Sequence, residues 1–195
     1  MASPESLRIV ALVSSGGGLD AVSRVLKLLP PDFPAAVIVL QHHSPDHVSH
    51  LRDVLSQRTS LPVTDATDGE LLTASAVFIA PSGHHLLVAS GNRVALIPSG
   101  SYPPNRPSAD LLLTSLALTA GSRTIAVVLS GGGTDGATGA TAVHHLGGLV
   151  IAADAASSAE PEMPAASIAR DHAVDHVMDV DKIAAVLTNL VAERH

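Results

Sequence analysis

Apolar and polar positions along the 195-residue chain follow two alternating rhythms. Ile9 to Val13, Ala36 to Leu40 and Thr124 to Leu129 are unbroken aliphatic and β-branched runs of strand length, as expected of strands buried on both faces. Between them apolar residues recur every three or four positions, as in Leu19, Val22, Val25, Leu26 and Leu29, and again in Val48, Leu51, Val54 and Leu55, which is the period of a one-sided helix. The pattern predicts a strand over 8–14, a helix over 18–29 stopped by Pro30-Pro31, a strand over 35–41 and a helix over 47–58. Short strands follow over 62–66, 76–80, 84–89 and 93–97, punctuated by Asp68-Gly69, Pro81-Ser82-Gly83 and Ser90-Gly91-Asn92, with the last two forming a hairpin. A proline-rich loop from Gly100 to Pro107 leads to Ser108, which has the chemistry of an N-cap for a leucine-rich helix over 108–120. A strand over 124–130, a helix over 136–146, a strand over 148–153 and helices over 163–170 and 180–193 complete the chain. Repeated strand–helix units predict an α/β fold: a doubly wound, mostly parallel sheet with helices on both faces and a small antiparallel hairpin, as one domain over 1–195.

Composition narrows the classes of function. With two Phe, one Tyr and no Trp against 46% hydrophobic residues, the core must be built from Val, Ile, Leu and Ala. The net charge of −7 and the lack of any basic run leave no electrostatic footprint for nucleic acid or an anionic membrane. The absence of cysteine excludes disulfide and thiol chemistry. No signal peptide and no apolar run of the roughly 20 residues that span a bilayer are present, so the expected location is cytoplasmic.

Reactive groups fall at the ends of the apolar runs. Ser14-Ser15-Gly16-Gly17-Gly18 ends the first, Gln41-His42-His43 the second, and Ser130-Gly131-Gly132-Gly133-Thr134-Asp135-Gly136 the third. Strand carboxyl ends of an open α/β sheet line one crevice, so a serine, a histidine and an aspartate can meet there as a hydrolytic triad. Each group also has a plainer role: the serine and the aspartate as helix caps, the histidines as packed or solvated side chains. The pleat sends His42 and His43 to opposite faces without saying which faces the crevice. Gly16-x-Gly18-x-x-Ala21 matches the loose dinucleotide fingerprint, but the acid that should close the second strand is replaced by Leu40, Gln41 and His42. Spacings such as His43/His47/His50 and His172/His176 could pair imidazoles on a helix, yet no H-E-x-x-H arrangement accompanies them. No metal and no cofactor are expected.

At these residues the chain resembles the catalytic domain of chemotaxis protein-glutamate methylesterases, the CheB family. The resemblance rests on Ser15-Gly16-Gly17-Gly18-Leu19-Asp20-Ala21, on Gln41-His42 and on Gly131-Gly132-Gly133-Thr134-Asp135-Gly136. Secondary matches are Val77 to Pro81 with Gly83 and His85, then Arg106-Pro107-Ser108 with Asp110, and Met163-Pro164 with Ala166. Together they cover about residues 7–190. The resemblance selects Ser15 over Ser14 as nucleophile, His42 over His43 as base and Asp135 as the orienting acid. It implies demethylation of glutamate γ-methyl esters in methyl-accepting chemoreceptors, with glutamine deamidation as a companion activity. Gly16 and Gly132 are the expected oxyanion donors, and Arg106 is a substrate-positioning candidate with a structural alternative. Two departures stand out: Val13 replaces the usual glycine two residues before the nucleophile, and Gly132 the usual methionine in the aspartate turn. They leave open a catalytically impaired module that docks on receptors or a signalling partner; an esterase for another signalling substrate is a separate alternative. The family's N-terminal receiver domain is not expected in this chain, so phosphorylation control would need a separate receiver protein.

Overall fold

The computed structural model describes residues 6–43, 50–100 and 106–192. Among the described residues nine strands are formed: β1 (Arg8–Ser14), β2 (Ala35–Gln41), β3 (Val63–Asp65), β4 (Ala76–Ile79), β5 (His84–Ala89), β6 (Arg93–Pro98), β7 (Thr124–Val128), β8 (Leu149–Ala153) and β9 (His176–Met178). The helices are α1 (Gly18–Leu28), α2 (Leu51–Ser56), α3 (Ala109–Ala120), α4 (Ala137–His145), α5 (Glu162–Ile168) and α6 (Val180–Ala192). Seven strands make one sheet in the order β3-β4-β2-β1-β7-β8-β9, every pair parallel. The remaining two, β5 and β6, form the expected antiparallel hairpin.

Alternation along the central strand divides the core. Ile9, Ala11 and Val13 pack on one side with Leu112, Leu113, Leu116, Ala140 and Met163, under α3, α4 and α5. Val10 and Leu12 pack on the other with Val22, Val25, Leu26, Ile183 and Leu187, under α1 and α6. Both strand faces are covered, which is why these runs contain no polar alternation. The hairpin lies on α3, held by Val88 N–H donating to the Ser115 hydroxyl at 2.9 Å and by the Thr119 hydroxyl donating to Val88 O at 3.3 Å.

Departures from the expected elements are local. β9 was not anticipated: three residues, two of them exposed, show no alternation long enough to register. The pattern for the second helix begins at 47, but residues 44–49, His47 included, lie outside the described residues, and α2 is described from Leu51. The loop before α3 is likewise described only to Gly100 and from Arg106. His172 lies in a turn with φ of 53° and His176 starts β9, so these two do not share a helix face.

Candidate active site

Three adjacent central strands, β2, β1 and β7, end side by side, and the hydrogen-bonded ladder runs one step past them. His42 N–H donates to Ser14 O at 2.9 Å, Leu129 N–H to Val13 O at 2.9 Å, and Ser15 N–H to Ser130 O at 2.9 Å. The three glycine- or histidine-bearing turns are thereby set at fixed offsets before any side chain is considered.

The pleat then sorts neighbouring residues. Leu40 lies with the α3/α4 side of the core, so His42, two residues on, turns to that side and meets Asp135: Nε2 and Oδ2 are 2.8 Å apart. His43 turns away, bonding Gln41 O at 2.8 Å and the Ser82 hydroxyl at 2.9 Å. Ser14 is fully buried, and its Oγ has no hydrogen-bond partner among the described residues and lies where a side chain on Gly18 would go. Ser15, by contrast, lines an open cleft of about 450 Å³ together with Gly16, Gly17, Leu19, Asp20, Gln41, His42 and Arg58. Its Cβ lies 2.7 Å, and Met163 Sδ 2.9 Å, from the point a Cβ on Gly131 would occupy, so only glycine fits beneath the serine. Gly17, at φ of 70°, makes the left-handed turn that lets α1 start directly after β1 and Ser15. Among the described residues the Ser15 hydroxyl has no hydrogen-bond partner, so the contact from Ser15 Oγ to His42 is not closed in this structure. Catalytic hydrogen bonds often tighten only when substrate binds.

Asp135 does not cap its own helix. The N-cap of α4 is Gly136, with φ of 95° and no side-chain cap bond. The Asp135 carboxylate instead receives the N-terminus of α3: Ala109 N–H at 2.7 Å on Oδ2, and Asp110 N–H at 3.0 Å and the Ser108 hydroxyl at 3.2 Å on Oδ1. Asp110 returns the arrangement, its Oδ1 accepting Gly136 N–H at 3.0 Å and Gly139 N–H at 2.7 Å from the start of α4. Each aspartate thus satisfies the free N–H groups of the other's helix. Burial pushes the Asp135 carboxyl up, but the bonds from His42, Ala109 and Asp110 outweigh it and hold the group below the ordinary carboxylate value. At Asp110, burial prevails over the Gly139 bond and, with repulsion from Asp135, holds that carboxyl above it. Ser108 caps α3 as expected, accepting Leu111 N–H at 3.3 Å. Its own N–H donates to Nδ1 of buried His85 at 3.0 Å, and burial holds His85 toward its neutral form.

The other expected site residues divide. Gly16 lines the cleft, and Gly132 stands on the aspartate turn with the Glu160 carboxylate near both glycines; neither amide has an acceptor among the described residues. Arg106 donates from Nη1 to Gly100 O at 3.1 Å. Arg58 lines the cleft and was not anticipated, because it lies at the end of α2 with no motif around it.

A profile of the CheB methylesterase family matches residues 10–187. Protein-glutamate methylesterase FrzG of Myxococcus xanthus is 38% identical over 188 residues, which are 96% of this chain and 56% of that protein. A protein-glutamate methylesterase/protein-glutamine glutaminase of Anaeromyxobacter dehalogenans is 40% identical over 186 residues, 94% of this chain and 53% of that one. The chain therefore spans about half the length of these curated relatives. The crystal structure of the Thermotoga maritima CheB methylesterase catalytic domain superposes with a TM-score of 0.88 at 35% identity, covering 94% of this chain and 98% of that one.

Proposed function

The chain belongs to the CheB methylesterase family, and from that premise we propose that it hydrolyses glutamate γ-methyl esters of chemoreceptors, and deamidates glutamines there, with Ser15, His42 and Asp135 as its triad. The observation that carries this reading is the 2.8 Å bond between His42 and a buried carboxylate, at the end of the strand beside the one that presents Ser15. An ionised Asp135 can only accept, so Nε2 of His42 carries the proton and Nδ1 keeps its lone pair. Nδ1 is then the base for Ser15. The serine oxygen attacks the ester carbonyl as its proton passes to His42, and Asp135 stabilises the imidazolium that results. The amides of Gly16 and Gly132 supply the oxyanion donors, and Gly132 keeps that N–H without a side chain over the cleft. Methanol departs with the proton from His42. Water, deprotonated by the same nitrogen, then releases the glutamate carboxylate and restores Ser15.

No helix among the described residues is long and apolar enough to cross a membrane. Methanol release from cognate methylated receptor is the test. Ser15→Ala is expected to lower turnover by roughly 10⁴-fold or more while unfolding as wild type does. Turnover of activated small esters with none of receptor would point to another signalling ester. A folded wild-type protein inert toward both would mark a docking module without catalysis.

A further inference from the structure

Two carboxylates stand at the glycine turns of the cleft, and the proposed triad uses neither. Glu160, between β8 and α5, has a fixed backbone: Gly131 N–H donates to its carbonyl at 2.8 Å, and its own N–H donates to the Ser130 hydroxyl at 2.9 Å. That hydroxyl in turn donates to Gly16 O at 2.7 Å. The side chain reaches back over the turn. Its carboxylate fills the space that a side chain on Gly16 would need, and Oε2 lies 3.3 Å from the corresponding point on Gly132. Glu162 is set further out, its Oε2 accepting Gly133 N–H at 3.1 Å and lying 3.7 Å from that same point on Gly132. The Glu160 carboxylate therefore stands between the two glycines to which the oxyanion is assigned.

We propose that Glu160 is a specificity determinant of the Ser15 site, a resident carboxylate that admits neutral esters and amides and turns away anionic ligands, the glutamate product among them. This rests on the triad reading, because it is that reading which places the acyl group between Gly16 and Gly132. A neutral acyl group displaces the carboxylate by rotation about the Glu160 side-chain torsions alone, since the backbone on either side is tied to the floor of the cleft. Glu160 is exposed, so the displaced carboxylate passes into water and loses no solvation. A free carboxylate entering the same space meets a like charge a few ångströms away. The reaction converts a neutral ester into an anion, so the same side chain that yields to substrate helps to clear product.

The test compares wild type, Glu160→Gln, Glu160→Ala and Glu162→Gln in hydrolysis of p-nitrophenyl acetate, with glutarate as an anionic inhibitor and glutaramide as its neutral counterpart. Glutarate is expected to inhibit the Glu160→Gln protein at about fivefold lower concentration than wild type, the effect of one like-charge pair at about 4 Å in water. Glutaramide inhibition is expected to be nearly unchanged, and Glu162→Gln to shift glutarate less than Glu160→Gln does. In wild type, added salt is expected to strengthen glutarate inhibition selectively, because screening weakens the same repulsion. That measurement needs no variant to fold. Equal glutarate inhibition of wild type and both Glu160 variants overturns the proposal, and so does a lack of inhibition in all of them, since removing the charge must open the site to anions. Failure of wild type to turn over any ester would sink the triad reading instead.

Discussion

Replacing Asp135 with Asn separates the two roles that geometry gives this residue. Both carboxylate oxygens already accept a backbone N–H: Ala109 N–H and His42 on Oδ2, Asp110 N–H and the Ser108 hydroxyl on Oδ1. An asparagine amide must place its NH₂ group on one of those sides. Set toward Oδ2, it faces Ala109 N–H and forces His42 into the tautomer whose remaining proton points at the serine. Set toward Oδ1, it strands Asp110 N–H. In either setting one backbone donor loses its acceptor, buried at Ala109 or part-buried at Asp110, at a cost of about 1–3 kcal/mol. Loss of the charge at the α3 N-terminus adds about 1 kcal/mol. The total of roughly 2–4 kcal/mol corresponds to a fall in Tm of about 5–15 °C for a domain of this size. Turnover is expected to fall by about 10⁴-fold, as for a triad that holds the wrong tautomer. Because Asp135 is held below its unfolded value, its stabilising contribution is complete above that value, near pH 3.9, and fades as pH drops through the lower folded one. Thermal unfolding of wild type and Asp135→Asn at neutral and acidic pH therefore should converge on acidification. An Asn variant with unchanged Tm at neutral pH and activity within tenfold of wild type, about 1.4 kcal/mol, would refute the assignment.

Two further substitutions probe the surroundings. Ser14→Ala removes a buried hydroxyl with no partner and is expected to keep hydrolysis intact and raise stability by up to about 1 kcal/mol in a urea titration; a loss of activity matching that of Ser15→Ala would move the nucleophile. Gly139→Ala places a Cβ 2.6 Å from Leu113 Cβ and 3.1 Å from Asp110 O, where α3 and α4 cross. Overpacking of about 1–3 kcal/mol exceeds the roughly 1 kcal/mol that alanine gains in a helix, so the urea midpoint is expected to fall, and activity with it as Asp110 shifts. A higher midpoint would mean that the two helices can slide apart without penalty.

The parallel sheet was legible because doubly covered strands must be uninterrupted apolar runs, and the helices because their polar faces leave a period. β1, β2 and β7 agree with the expected strands to within two residues. The strand ends also pointed to the serine, histidine and aspartate as candidates, since an open α/β sheet leaves few other places for chemistry, and of the three the structure joins His42 to Asp135. What periodicity alone could not give was orientation, and only the family resemblance chose His42. Whether His42 or His43 meets the acid depends on which face of β2 adjoins α3, and that is settled by Leu40 packing beside Val13, a contact between distant segments. The cross-capping by Asp110 and Asp135 was hidden for the same reason: Asp135 reads locally as a cap for the helix that follows it, Asp110 lies in the first turn of a helix already capped by Ser108, and only docking of α3 on α4 brings each to the other's helix. Arg58, beyond the end of α2, lines the cleft, and the Glu160 carboxylate packs against Gly16 from the connection between β8 and α5; neither sits in a motif, so no spacing announces them.

That the three turns grow from neighbouring, fully flanked strands has a consequence for how such a protein can change over time. Parallel strands keep a separation near 4.8 Å through backbone bonds that do not depend on side-chain identity. Sequence drift in the peripheral loops can then redraw which esters fit without disturbing the alignment of the reacting atoms. Novel selectivity and preserved chemistry are, in this scaffold, nearly independent inheritances.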